Sequence, residues 1–186
     1  MSILIMEPHA DDVLLSCPEL LMSHEQVTVV TFHDDLDRPV KRYSEFFGNH
    51  ITTIQLDCQE IHMRHAAEYR TNPQRFPLYE MLDRYHQLIE NMIADSDHVY
   101  FPWGIEHPHH CAVASWLYNT PFKNEVLYYL DRPYWDVQAQ LAWRPYPQRE
   151  MTVIKTPELD RGKLVSLIFP GHGITNSDKI LDSRYF

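Results

Sequence analysis

The stretch "ILIMEPHADDVLLSC", residues 3–17, holds the pattern from which the rest of the chain can be read. Ile3-Leu4-Ile5-Met6 is a short apolar run stopped by Glu7-Pro8, and it reads as a buried strand over 2–6. Apolar residues return at Val13, Leu14 and Leu15, with Asp11 or Asp12 placed to cap a helix over about 12–23. Between strand and helix stand His9, Asp11 and Asp12, three side chains that bind metals or carry protons. In sheets built of strand–helix units, such turns lie at the carboxyl ends of the strands, where ligands bind.

The same alternation continues. "VTVVTF", 27–32, is a second strand rich in β-branched residues, followed by a polar loop, "HDDLDRP", at 33–39. A short helix over 40–48 stops at Gly48, and "ITTIQL", 51–56, is a third strand. The segment 59–71 leans to helix, and 77–94 has apolar residues at helical spacing. "HVYFPW", 98–103, is a fourth strand, 108–119 a helix opening at a proline, and "EVLYYL", 125–130, a fifth strand. The segment 132–150 reads as irregular, "MTVIKT", 151–156, as a sixth strand and 157–169 as a helix. No element is predicted in the tail beyond Gly171. Strands alternating with helices predict an α/β domain with a mostly parallel sheet covered on both faces.

At 186 residues the chain is expected to form one domain spanning 1–186, and 44% hydrophobic residues suffice for its core. A net charge of −10 excludes nucleic-acid binding through basic patches and a polybasic membrane anchor. No apolar run reaches the roughly 20 residues of a membrane-spanning helix. Cys17, Cys58 and Cys111 are far apart and odd in number, which fits a reducing compartment, and with no signal-peptide pattern the expected location is the cytoplasm.

A second cluster, "GIEHPHHCA" at 104–112, also follows a strand and precedes a helix. Both clusters therefore belong at one edge of the sheet. A catalytic zinc takes three ligands from His, Asp, Glu or Cys and keeps one position for water. His9, Asp12 and His110 supply two nitrogens and a carboxylate for it. Asp11 is placed in sequence to act as general base, and His107 to stabilise an oxyanion or protonate a leaving group. These are the parts of a metal-assisted amide or ester hydrolase. A site of two histidines and one carboxylate also accepts iron, manganese or cobalt.

"PHADDVLLSC" resembles the PHPDD motif of the PIG-L/LmbE-like zinc N-deacetylases, and "EHPHHCA" resembles their HPDHxA motif, in the same order. "RYSE", 42–45, is similar to the family's R-x-x-E. The resemblance extends over most of 2–131 and implies a Rossmann-like three-layer fold. It implies metal ligation by His9, Asp12 and His110, a general base at Asp11, and oxyanion or acid catalysis at His107. It also implies substrate binding by Arg42. The implied reaction removes an N-acetyl group from an N-acetylglucosamine-type sugar or conjugate, a small-molecule partner, and a homo-oligomer is compatible with it.

Three residues depart from the family pattern: Ala10 for proline, Val13 for glutamate and His109 for aspartate. A carboxylate at 109 would orient a neighbouring imidazole. The expectation is that His109 points away from the metal and that an acidic group from another loop supports His107 or His110. Each cluster alone also reads as a capped or solvated loop. An amidase or esterase with a non-sugar substrate, or a non-catalytic sugar- or partner-binding descendant, fits the same residues. His62 and His65 read as a solvated face, Tyr128, Tyr129, Tyr134 and Trp135 as core or a sugar-stacking surface, and His172 stays unassigned.

Overall fold

Strand β1 (Ser2–Glu7) is buried on both sides, and its side chains alternate between two cores. Ile3 and Ile5 pack with Val13, Leu14, Leu164 and Val165, while Leu4 and Met6 pack with Leu82, Ile89, Val113 and Trp116. Helices therefore cover both faces, as an apolar central strand requires. The computed structural model describes residues 1–33, 41–58, 77–104, 107–120, 126–131, 152–155, 159–170 and 182–185.

Along the chain, α1 (Asp12–Ser16) and α2 (Pro18–Leu21) lead to β2 (Gln26–His33), and α3 (Arg42–Phe47) leads to β3 (Ile51–Cys58). Next come α4 (Pro77–Arg84), α5 (His86–Ala94), β4 (His98–Pro102), α6 (Pro108–Asn119) and β5 (Val126–Tyr129). The last described elements are β6 (Thr152–Lys155), α7 (Arg161–Ile168) and β7 (Asp182–Tyr185). The sheet order is β3-β2-β1-β4-β5-β7-β6. The first five strands are parallel, and β7 pairs antiparallel with both β5 and β6. This is the mostly parallel, three-layer α/β architecture expected from the alternation.

The chain runs outward from β1 to β3, then crosses back to place β4 on the other side of β1. The winding reverses between β1 and β4, and a crevice opens there at the strands' carboxyl ends. Both sequence clusters lie at that reversal.

Several elements differ from expectation. The helix predicted over 12–23 is two short helices. Pro18 has no N–H to continue α1, and Cys17 turns out of helical geometry at φ −149°, ψ 52°. The helix over 77–94 breaks at Tyr85, whose N–H bonds Leu82 three residues back. His33, read as the start of a loop, ends β2. Strand β7 lies in the tail where no element was predicted. The helix at 59–71 with His62 and His65, the rest of the 33–39 loop, the 132–150 segment with Tyr134 and Trp135, and His172 fall outside the described residues. Among the described residues no helix is long and apolar enough to cross a membrane.

Candidate metal centre

The turn after β1 is tied from several directions. The backbone N–H groups of Asp11 and Asp12 both point at the His9 carbonyl, at 2.8 and 3.2 Å. The Asp12 carboxylate reaches back and accepts from the His9 N–H at 2.7 Å. Asp11 stands at the N-cap of α1, as the sequence suggested for one of the two, but its side chain makes no cap bond. Beneath the turn, Glu7 accepts from the N–H of Val13 at 3.1 Å, from Thr31 Oγ1 at 2.7 Å and from the Tyr43 hydroxyl at 3.1 Å. Burial, then the Asp12 charge, push its carboxyl well above the usual range.

The second turn starts from Gly104, whose φ is +85°. A Cβ there would lie 2.6 Å from that of Ala114 and 3.3 Å from the His110 carbonyl, so only glycine lets β4 pass this close to α6. His107 caps α6, its Nδ1 accepting from the His109 N–H at 3.3 Å. Pro108 follows at the first helical position, where its missing N–H costs nothing.

These turns converge. His9 Nδ1 lies 3.3 Å from His110 Nε2 and 3.5 Å from Asp12 Oδ2, and His110 Nε2 lies 3.2 Å from Asp12 Oδ1. All three residues are buried. Tetrahedral zinc with bonds of about 2.0–2.1 Å separates its ligands by about 3.3–3.4 Å. The two imidazole nitrogens stand at that spacing from each other, and each stands close to it from one of the two Asp12 oxygens.

The far side of the His110 ring is held in place as well. His110 Nδ1 is 2.7 Å from Asp131 Oδ1. A carboxylate only accepts, so this nitrogen carries hydrogen and Nε2 is left to face Asp12. Asp131 is itself fixed by the N–H of Gly104, at 2.7 Å from its other oxygen. Burial alone would lower the His110 pKa, but Asp12 and then Asp131 outweigh it and push it up to about 10. Burial likewise opposes ionisation of Asp12, yet His110 and His9 hold its carboxyl far below the usual range. The point between these atoms thus attracts a cation. Two nitrogens and a carboxylate oxygen, each oriented from behind, fit a divalent transition metal.

His109 turns away from this triad. Its Nδ1 lies 2.9 Å from His9 Nε2, the nitrogen opposite the one that faces Asp12. His33 stacks on His109 with ring centroids 3.7 Å apart, and His107 meets His9 edge-on at 4.8 Å. Burial lowers the pKa of each of these outer rings, with neighbouring imidazoles adding to it. His33 falls to about 3, His107 to about 2 and His109 lower still. They are neutral at physiological pH.

Of the residues singled out from sequence, His9, Asp11, Asp12, His107 and His110 gather at the reversal between β1 and β4. Arg42 lies on α3 and lines a surface groove of about 170 Å³ with Glu45, Phe46, Leu167 and Ile168. Among the described residues it makes no ion pair with the cluster. Tyr129 is core, its hydroxyl donating to the Met6 carbonyl at 2.8 Å. Sequence reading missed Asp131 and His33. The signal for each was a polar residue at the carboxyl end of a strand, next to β4 and β1 respectively.

No protein-family model matches the chain, and no curated protein matches it. Solved structures do. A deacetylase–bog complex from the biosynthesis pathway of teicoplanin is similar, with a TM-score of 0.57 and 17% identity over 100% of this chain and 96% of that one. The zinc-inhibited form of teicoplanin deacetylase Orf2 gives 0.55 and 18% over 91% and 82%. A deacetylase–teicoplanin complex gives 0.53 and 14% over 100% and 96%. At such identities the likeness is one of fold.

Proposed function

We propose that this chain is a metal-dependent hydrolase that removes the N-acetyl group from an N-acetylglucosamine-type sugar or sugar conjugate. The observation that carries the reading is the convergence of His9 Nδ1, Asp12 and His110 Nε2 at metal-ligand spacing, with Asp11 adjacent in the same turn. The fold neighbours are deacetylases of teicoplanin biosynthesis, one of them in a zinc-inhibited form, which supports the reaction class and is compatible with metal binding. The PHADD and HPHH motifs resemble those of the PIG-L/LmbE-like deacetylases at these same positions.

Bound between the three ligands, zinc or a similar divalent ion would polarise the amide carbonyl and acidify a water molecule. Asp11 takes the proton that water gives up as its oxygen attacks the carbonyl carbon. The C–N bond then breaks, the proton passes from Asp11 to the departing nitrogen, and a free amine and acetic acid result, the acid's proton passing to the amine or to solvent to leave acetate. His107 acts as a neutral imidazole. Its Nδ1 accepts from the His109 N–H, so its hydrogen sits on Nε2, where it can donate to the oxyanion. Its lowered pKa suits it to that role better than to holding a proton in reserve.

Asp11→Asn and Asp12→Ala separate base from ligand. Asp11→Asn is expected to keep its metal and lose about 10²–10⁴-fold in turnover of an N-acetylated amino sugar. Asp12→Ala is expected to lose the metal. Metal analysis beside an acetate-release assay decides it, and two variants that both keep metal and rate would sink the assignment.

A further inference from the structure

His9 presents its two ring nitrogens to two different donor sets. Nδ1 faces Asp12 and His110, while Nε2 faces His109 Nδ1 at 2.9 Å. On that second side stands His107, and ligating atoms of His9, His107 and His109 all lie within 4.8 Å of one another. We propose that this side is a second metal site, made of three histidines and adjoining the first across the ring of His9.

The local structure supports it. His107 and His109 flank Pro108 at the start of α6, so one rigid turn sets both rings. The stacked ring of His33 holds the plane of His109. His107 joins by exchanging its long 3.3 Å contact with the His109 N–H for a metal bond. Three imidazoles without a carboxylate select zinc, cobalt, nickel or copper and disfavour magnesium and calcium, which prefer oxygen. The balance of the step is simple. The hydrogen shared between His9 Nε2 and His109 Nδ1 leaves to solvent as a proton, and the two nitrogens part by a few tenths of an ångström to reach ligand spacing. With both sites filled, His9 bridges them as an imidazolate.

The binding does not depend on the deacetylase reading. If that reading holds, filling this site engages His107 and makes excess metal inhibitory.

The test is metal stoichiometry, read without substrate. The metal-free chain is titrated with Co²⁺, following its visible absorption, with bound metal measured after dialysis. Wild type is expected to take up two equivalents, the second more weakly. His107→Gln and His109→Phe are each expected to take up one and to keep the spectrum of the first. His107 is the less buried of the two, so His107→Gln carries the test alone if circular dichroism shows His109→Phe to be misfolded. Saturation of wild type at one equivalent, or a second equivalent that survives His107→Gln, would overturn the proposal.

Discussion

Asp131 shows how a single carboxylate sets a ring. It accepts from His110 Nδ1 with one oxygen and from the Gly104 N–H with the other, both at 2.7 Å. An asparagine there has one acceptor for two donors, and its NH₂ must face one of them. Asp131→Asn is expected to weaken metal binding by about 10–100-fold, the usual effect of losing an outer partner of a ligating histidine. Competition against a chelator measures this, and unchanged affinity would remove Asp131 from the site. His9, Asp12 and His110 were legible in the sequence because each cluster packs donor-type side chains into a few residues after an apolar run. Asp131 and His33 were not, because each is a lone polar residue whose partner depends on which strand lies alongside.

Elements position these residues, and β1 and β4 are pinned at their starts as well as their ends. The Ser2 N–H donates to Asp97 Oδ2 at 2.8 Å, and the Asp97 N–H donates back to Ser2 Oγ at 3.1 Å. The Ser2 backbone bond, then its hydroxyl, hold the Asp97 pKa below its usual 3.8. A lowered carboxylate stabilises the fold above its ordinary pKa and loses that contribution as pH falls through the folded value. The stability gap between wild type and Asp97→Ala is therefore expected to stay constant from neutral pH to about 5 and to close below about 4. Urea titrations across that range check it, and a gap independent of pH would contradict it. Strands β1 to β5 were readable because apolar and β-branched runs bounded by turns leave few alternatives. The breaks at Cys17 and Tyr85 were less so, since helical periodicity continues across both.

At the scale of the whole molecule, the C-terminal third closes back on the first helix. Buried Arg161 donates to the carbonyls of Leu15 and Ser16 at 2.7 and 3.0 Å and to Ser183 Oγ at 2.8 Å. Glu19 lies 3.8 Å from its guanidinium. It ties the end of α1 to α7 and β7. Arg161→Met is expected to cost about 2–4 kcal/mol, because buried acceptors lose their donor. Denaturant unfolding measures the loss, and a change below about 0.5 kcal/mol would make Arg161 dispensable. The sequence by itself determined the parallel α/β core and the two donor clusters at strand ends. Hydrophobic period and turn chemistry are local, and a parallel sheet brings every strand-to-helix turn to one edge. Only the tertiary structure decided the strand order, the return of β7 between β5 and β6, and the partners of each imidazole. Those depend on contacts between residues far apart in the chain, where no local pattern records which neighbour a side chain meets.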